Sequence, residues 1–94
     1  MAHRYEWDDV KAARNLRVHG VGFPDAMLAH ADPHAVDWID DSADYGEERI
    51  VLIGQCRGTI LTVVFTIRAE AIRIISARKA TRHEREHYYR QTSR

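Results

Sequence analysis

The sequence predicts an α+β fold in which a twisted antiparallel sheet is packed with two N-terminal helices and one C-terminal helix. Apolar residues recur at helical spacing in the first third of the chain, and short runs rich in Val, Ile and Thr follow residue 48. The turns between these runs are short, which implies antiparallel neighbours, because a parallel crossover needs roughly a dozen residues or more. With 94 residues, the chain is expected to form a single domain over residues 1–94.

Two helices are expected before the sheet. Asp8 is a good N-cap for the first helix, and Gly20 is a good residue to end it. The face expected to be buried carries the apolar residues Val10, Ala13 and Leu16. The second, shorter helix is expected from about Pro24 to Ala31, because Pro33 cannot continue a helix.

Four strands are expected to follow. Their predicted ranges are Val36 to Asp40, Arg49 to Gly54, Thr59 to Thr66 and Ala71 to Ala77. Residues 55–58 are predicted to connect the second and third strands as a hairpin, and residues 68–70 to turn the chain into the fourth. Because the last three strands are almost continuously apolar, much of the sheet should be covered on both faces.

The last helix is predicted to begin with a capping box. Thr81 can accept a hydrogen bond from the backbone of Glu84, whose carboxylate can reach back to the backbone of Thr81. The helix then reads RHEREHYYRQ, with no aliphatic residue, and Tyr88 and Tyr89 are its only large apolar side chains. We therefore expect its docking to depend on the tyrosines or on another chain.

The formal net charge of zero hides two segments of opposite sign. Residues 1–67 carry 11 acidic and 6 basic side chains, a net of −5, whereas residues 68–94 carry 8 basic and 3 acidic side chains, a net of +5. Within the first segment, the stretch from Asp25 to Glu48 holds eight acids and no Lys or Arg. Such a chain indicates either a basic surface for a polyanion, with the acidic stretch facing a basic partner, or internal ion pairing between the two segments.

Composition also narrows the class of protein. The single Cys56 cannot form an intrachain disulfide, and the chain has no pair of cysteines for zinc or redox chemistry. The N-terminus lacks the apolar core of a signal peptide, and the most apolar stretch, Ile60 to Ile67, is far shorter than the roughly 20 residues that span a bilayer. We expect a cytoplasmic protein that does not enter a membrane.

Residues 83–87, HEREH, match the H-E-x-x-H zinc motif. Glu84 is already explained by the capping box, and the seven residues after the motif contain no third ligand. An upstream residue, His19 or His34, stays open as the third ligand. Because the capping box and the missing downstream ligand count against the motif, a small zinc metalloprotease is the least favoured function. We expect no metal site and no cofactor.

A group of basic residues spans the last strand and the start of the last helix: Arg73, Arg78, Lys79, Arg82 and Arg85. Arginines at a strand end can bind successive phosphates in planar, bidentate contacts. Tyr88 and Tyr89 follow and could stack on unpaired bases. The alternative is a solvated face with no ligand.

Further candidate residues stand near the ends of elements. His19, at the expected end of the first helix, can serve as a general acid or base, or as a cation beside the last carbonyls of the helix. Lys11 and Asn15, four positions apart, share a face of that helix. Alternation puts Glu48 and Arg49 on opposite faces of a strand, so one of them must point inward or into a cleft, where an ion pair would compensate its charge.

Taken together, these segments resemble the BrnT family of ribonuclease toxins from type II toxin–antitoxin systems. The matching residues cover nearly the whole chain in order: Tyr5-Glu6-Trp7-Asp8, Lys11, Asn15, His19-Gly20-Val21, Phe23, Asp32-Pro33, Gly46-Glu47-Glu48-Arg49, Ile53-Gly54, Arg73-Ile74-Ile75-Ser76-Ala77-Arg78-Lys79-Ala80, Glu84, Arg85 and Tyr88. The chain departs from the family pattern at Val18, where the family often has Lys, and at Gly22, where a polar capping residue is common.

The resemblance implies a RelE-like fold and metal-independent cleavage of RNA that arrests growth. It also implies a partner, a BrnA-type antitoxin with a ribbon-helix-helix part that neutralises the toxin and represses the shared operon. The expected complex is a heterotetramer bound to operator DNA through the antitoxin.

A mechanism by attack of the ribose 2′-OH on the adjacent phosphate requires cations and proton-transfer groups. We assign the phosphate contacts to Arg49, Arg73 and Arg78, and the proton transfer to His19 or Glu48. The remaining candidates for RNA binding are Lys11, Lys79, Arg82, Arg85 and Tyr88. A non-catalytic RNA-binding or ribosome-binding module that uses the same basic surface is the main alternative.

Overall fold

The computed structural model, which describes residues 3–92, contains every predicted helix and strand and one additional strand. In chain order the elements are β1 (Tyr5–Glu6), α1 (Asp9–His19), α2 (Phe23–His30), β2 (Val36–Asp40), β3 (Arg49–Cys56), β4 (Thr59–Arg68), β5 (Ala71–Lys79) and α3 (Arg82–Thr92). The order in the sheet is β1-β5-β4-β3-β2. Strands β2 to β5 form the predicted antiparallel meander, whereas β1 pairs with β5 in parallel. The fold is therefore α+β with a mixed sheet.

The first two helices begin and end close to the predicted positions. Oδ1 of Asp8 accepts hydrogen bonds from the backbone N–H groups of Val10 and Lys11, at 2.9 and 3.1 Å, and so caps α1. Gly20 ends α1 with a φ of 71°, a left-handed conformation that glycine adopts without a steric penalty. The N-cap of α2 is Gly22, which has no side chain to bond the helix, and Pro24 lies in its first turn.

The buried face of α1 differs from the prediction. Val10 and Leu16 are 80% and 55% exposed, and Ala13 is exposed as well, so the apolar stripe faces solvent. The residue that α1 buries is Asn15, at 7% exposure. The expected face was wrong because α1 meets the edge of the sheet through a polar side chain.

Asn15 covers the edge of β5 that β1 leaves free. Strand β1 pairs with β5 only at Ile72 and Arg73. Further along β5, the Nδ2 group of Asn15 donates to the carbonyl of Ala77 at 2.7 Å, and the Ala77 N–H donates to Oδ1 of Asn15 at 3.2 Å. Nδ2 also donates to the carbonyl of Val21 at 3.0 Å. The amide thus takes the place of a strand residue and fixes α1 to the sheet.

Both long hairpin connections are tighter than predicted. Pairing continues to Cys56 with Thr59, so the first turn has only two central residues, 57 and 58. It continues to Arg68 with Ala71 in the second, which leaves residues 69 and 70. All four central residues have positive φ, as in the type I′ turns that match strand twist. Of these four residues only Gly58 is a glycine, so it is the only one whose type indicates a positive φ in the sequence.

The sheet has two buried faces, named here for the helix that packs on each. On the α2 face, the core contains Leu52, Val63, Phe65 and Ile74 together with residues of α2. Gly54 permits this packing, because a Cβ at that position would overlap the carbonyl of Ala29. On the α3 face, a smaller core consists of Ile53, Ile60, Ala80 and Tyr88. The expectation that much of the sheet is covered on both faces is confirmed.

The start of α3 is the predicted capping box. The Thr81 N–H donates to Oε1 of Glu84 at 2.8 Å, and the Glu84 N–H donates to Oγ1 of Thr81 at 3.2 Å. Tyr88 is the residue that α3 buries, at 4% exposure, whereas Tyr89 is 49% exposed. Among residues 3–92, no helix is long and apolar enough to cross a membrane.

Replacement of Asn15 by Ala should destabilise the fold by about 2–4 kcal/mol, because it leaves buried backbone groups of β5 and of the segment after α1 without partners. Urea unfolding followed by circular dichroism measures this loss. Arg17→Ala, on the exposed side of the same helix, is the matched control and should stay within about 0.5 kcal/mol of wild type. Equal stabilities of the two variants would contradict the role given to Asn15.

Candidate functional site

A cationic cavity lies where α1 meets the α3 face of the sheet. Its volume is about 350 Å³, and its lining consists of Lys11, Arg14, Asn15, Val18, His19, Arg49 and Ile75. Three of these residues carry a fixed positive charge, the fourth basic residue is a histidine, and no acid is among them. We call it the α1 cavity.

Helix geometry explains the contribution of α1. Lys11, Arg14 and Val18 are spaced by three and four positions, so they project from one side of the helix. Asn15 lies beside them and holds this side against β5. His19 is the last residue of α1, and it also reaches the cavity. One polar contact between helix and sheet therefore orients the whole basic side.

Arg49 enters the same cavity from β3. It shares the α3 face with Ile53, which is four positions along the strand. Its guanidinium carbon lies 4.1 Å above the centre of the Tyr45 ring, and its Nε is 3.6 Å from Oε2 of Glu47. That Nε is buried and has no hydrogen-bond partner among the described residues. Arg49 is thus held by a stacking contact and a long ion pair, which leaves hydrogen-bonding capacity for a ligand.

A row of polar residues crosses the sheet at the level of Arg49. Strand pairing sets Asp40 opposite Arg49, Thr66 opposite Arg73, and Arg73 opposite Glu6. The register of β3 and β4 continues this row from Arg49 to Thr66. Arg49 and Arg73 therefore lie on one face, two inter-strand spacings or about 10 Å apart. Arg73 is 3.5 Å from Oε1 of Glu6.

Arg78, the third predicted phosphate contact, is bonded to α3. Its Nη1 and Nη2 donate to the two carboxylate oxygens of Glu84 at 2.7 and 3.0 Å. The Thr62 hydroxyl and the Thr81 N–H also donate to this carboxylate, at 3.0 and 2.8 Å. The hydrogen bonds from Arg78 lower the pKa of Glu84 from its ordinary value of 4.5 to about 2. Arg78 is therefore a link between β5 and α3.

The same contacts bear on the zinc motif at residues 83–87. Glu84, which would be its general base, is the acceptor in this network, and it stays ionised down to low pH. Among residues 3–92, no three His, Cys, Asp or Glu side chains come together in a way that could hold a metal ion.

Glu48 lies on the other face from Arg49, as strand alternation predicts. Its side chain lines a groove on the α2 face together with Asp37 and His30. The structure therefore does not bring Glu48 to His19, the other candidate for proton transfer. The ion pair expected for one residue of this pair is the contact of Arg49 with Glu47.

The residues assigned to RNA binding are scattered. Lys11 lines the α1 cavity, whereas Lys79 lies at the end of β5 beside Asp25 and Arg57. Arg82 is paired with Glu86 across one turn at 3.1 Å and is 87% exposed.

Two more of these residues stabilise α3. The guanidinium of Arg85 donates to the carbonyl of Ala80 at 2.9 Å. Tyr88 is buried, and its hydroxyl donates to Oδ2 of Asp32 at 2.6 Å. Burial, with the bond to Asp32, raises the pKa of Tyr88 to about 12. Its ring is not exposed for stacking on a base, because it forms part of the core between α3 and the sheet.

Arg14 is the cavity residue that the sequence analysis missed. It lies three positions after Lys11 and four before Val18, a helical spacing that would have indicated it once the solvent-facing and sheet-facing sides of α1 were known.

This fold and basic site occur in a chain that comparison with protein families assigns to the ribonuclease toxins. The matching model is described as "Ribonuclease toxin, BrnT, of type II toxin-antitoxin system" and covers residues 7–84, which is 78 of 94 residues. The chain belongs to the BrnT family, as its resemblance indicated. Membership implies ribonuclease activity and an antitoxin partner. No curated protein matches the chain.

The Arg78–Glu84 contact should make α3 docking sensitive to acid. Because the folded-state pKa of Glu84 is about 2 and its ordinary value is 4.5, the contact contributes fully above pH 4.5 and is lost as the pH falls towards 2. The unfolding free energy of wild type should therefore exceed that of Glu84→Gln near neutral pH, and the difference should shrink through this range. Urea titrations at several pH values test this. Glu86→Gln, in an exposed pair, is the control, and a pH-independent difference for Glu84→Gln would contradict the assignment.

Proposed function

We propose that this toxin cleaves RNA at the α1 cavity without a metal ion, by attack of a ribose 2′-OH on the adjacent phosphate. The observation that carries the proposal is the convergence of Lys11, Arg14 and Arg49 with His19 around one cavity free of acidic side chains. Cations held in place before the reaction stabilise the charge that develops on the phosphate. The family's ribonuclease activity supplies the reaction class.

Arg49 is the main phosphate contact in this proposal. Its side chain lines the cavity and is 27% exposed, so its guanidinium can donate to a phosphate oxygen. Lys11 and Arg14 add positive charge from α1, and Arg73 contacts a neighbouring phosphate from the same row of the sheet. Lys79, Arg82 and Arg85 extend RNA binding by charge alone.

His19 is the proposed proton-transfer group. A neutral imidazole can take the proton of the 2′-OH as the 2′ oxygen attacks phosphorus. The P–O5′ bond then breaks, the leaving oxygen takes a proton from the imidazolium or from water, and the products are a 2′,3′-cyclic phosphate and a 5′-hydroxyl end. Glu48 lies on the α2 face, which favours His19 over Glu48 for this role.

The proposed partner is a BrnA-type antitoxin with a ribbon-helix-helix DNA-binding part. Family membership implies an antitoxin, and the antitoxin type and the heterotetramer on operator DNA follow from the resemblance to the BrnT pattern. In this arrangement the antitoxin, and not the toxin, contacts DNA.

His19→Gln should lower the rate of RNA cleavage by roughly 10²–10⁴-fold, because the proton-transfer group is lost. Glu48→Gln is the control. It introduces the same residue on the α2 face, away from the α1 cavity, and should keep most of the activity. Both variants and wild type are assayed on purified protein in EDTA, with labelled RNA resolved on gels. Loss of activity in Glu48→Gln alone would reverse the assignment. Loss of all wild-type cleavage in EDTA would refute metal independence, and RNA that is bound but left intact with or without metal would favour the non-catalytic module.

Arg49→Ala should lose cleavage activity, whereas Arg78→Ala should lose stability. Arg49→Ala should lose about 10²–10³-fold in cleavage rate with little change in unfolding free energy, because it removes a charge contact to the transition state. Arg78→Ala should instead lose stability, because it leaves Glu84 without its charged donor. Cleavage rates and urea unfolding of the two variants are compared. If Arg78→Ala is stable and loses more activity than Arg49→Ala, Arg78 and not Arg49 is the main phosphate contact.

A further inference from the structure

The acidic stretch from Asp25 to Glu48 is divided between internal contacts and free charges. Five of its eight carboxylates bond within the chain: Asp25 to Arg57, Asp32 to Tyr88 and two backbone N–H groups, Asp40 to Ser42, Asp44 to the Gly46 N–H, and Glu47 to Arg68. The side chains of Asp37, Asp41 and Glu48 have no hydrogen bond or ion pair among the described residues. All three are exposed to solvent and are therefore available to a partner.

Two of these free carboxylates line an apolar groove on the α2 face. The groove has a volume of about 440 Å³ and lies beyond the end of α2, where His30 is the last helical residue. Besides Asp37, Glu48, His3 and His30, its lining consists of the apolar residues Ile39, Ile50, Phe65, Ile67 and Ile72 and of part of Trp38, whose ring contacts His87 on the α3 face. We call it the acidic groove.

Apolar surface in the acidic groove is unusually exposed. Ile39 and Ile67 are 56% and 60% exposed. Single exposed apolar residues are common, but a contiguous set in a concave surface marks an interaction site. The unpaired carboxylates at its margin set the sign of the charge that a partner must bring.

The acidic groove also reaches an open edge of the sheet. Strand β2, which carries Asp37 and Ile39, pairs with β3 and is the last strand of the sheet that residues 3–92 form, so it is an edge strand. An edge strand that is not blocked by Lys or Pro leaves backbone groups available to a partner. Groove and edge together form one continuous surface, separate from the α1 cavity.

We propose that the acidic groove binds a segment of the antitoxin in which Lys or Arg side chains alternate with apolar ones. The inference rests on the proposed function, since family membership implies an antitoxin partner. Apolar side chains of the segment cover Ile39 and Ile67, and its cations pair with Asp37 and Glu48. An RNA strand does not fit this surface, because its phosphates would meet two unpaired carboxylates.

A second copy of the toxin is the competing occupant. The outer side of α1 exposes Val10 and Leu16 beside Arg17, which is apolar and basic like the proposed segment. Docking of α1 into the groove of another copy would join unlike surfaces, however, and such contacts produce open chains of molecules unless the rotation closes a ring. The oligomeric state of the isolated toxin therefore belongs in the test.

The position of the groove has a consequence for neutralisation. Residues of the groove lie on the α2 face, whereas Arg49 and the α1 cavity lie on the α3 face. Changes in the groove should thus weaken antitoxin binding and leave the toxin active on its own. Antitoxin binding and RNA cleavage can therefore be measured separately in the same groove variants.

The test measures binding of the antitoxin to groove variants. The probe is the small protein encoded beside the toxin gene, co-expressed with the toxin and purified. Asp37→Lys reverses one groove charge, and Ile67→Gln removes apolar contact without a charge change. We expect each to weaken the dissociation constant by about tenfold or more, as loss of a central contact does. Both variants should still arrest growth without antitoxin and should need more antitoxin for rescue.

Controls separate the possible results. Glu86→Lys, an exposed acid on α3, makes the same charge change as Asp37→Lys and should bind the antitoxin as wild type does. Wild-type affinity in both Asp37→Lys and Ile67→Gln, with native circular dichroism, overturns the proposal, and so does an equal loss in Glu86→Lys. Self-association of the free toxin that these groove variants abolish, seen by analytical ultracentrifugation, also overturns it in favour of a second copy. Absence of growth arrest by wild type would instead count against the proposed function.

Discussion

The pairing of the Asn15 amide with the backbone of Ala77 is the contact on which the arrangement of the site depends. It satisfies both polar groups of a residue at the free edge of β5, and it does so from a helix that has almost no apolar contact of its own with the sheet. A buried amide is costly unless it is hydrogen-bonded, so only one rotation and one height of α1 satisfy it. That placement turns Lys11 and Arg14 towards Arg49 and exposes the apolar stripe.

Helix α3 depends on polar contacts in the same way. It has a single buried residue, Tyr88, and its polar attachment comes from Glu84, from the bond between Tyr88 and Asp32 and from the bond of Arg85 to the Ala80 carbonyl. Such contacts are directional, so they fix the position of a helix that hydrophobic burial alone would hold only loosely. The bonds of Glu84 and Tyr88 both lie towards the end of the sheet that carries the hairpin between β3 and β4, because Arg78 pairs with Thr62 and the Gln55 N–H donates to Asp32. The row that contains Arg49 and Arg73 lies towards the other end of the strands and is left open.

Local chemistry in the sequence was enough for the helix ends, the meander and the two faces of β3. Caps at Asp8, Gly20 and Thr81 act within a few residues, and alternation at Glu48 and Arg49 needs no tertiary information. These features were predictable because the residues that determine them are close together in the sequence.

The rest depended on long-range contacts. Asn15 and Ala77 are 62 positions apart, and no spacing within α1 announces that its polar residue is the buried one. The pair of residues in β1 is too short to show alternation, and the turn at Ala69 and Glu70 lacks the glycine that usually reveals positive φ. The family pattern supplied the function, but the pattern alone did not separate residues that hold α3, such as Arg78, from residues that line the cavity.

Alternation at the start of β3 lets one short segment contribute to two separate surfaces. Glu48 and Arg49 are adjacent in the chain, yet one belongs to the acidic groove and the other to the α1 cavity. Substitutions at even and odd positions of this segment therefore act on different surfaces, so the groove can change while the lining of the cavity stays the same. An insertion or deletion of one residue there would exchange the two surfaces at once, and selection should tolerate length changes in the loop before residue 47 far better than between residue 48 and the end of β3.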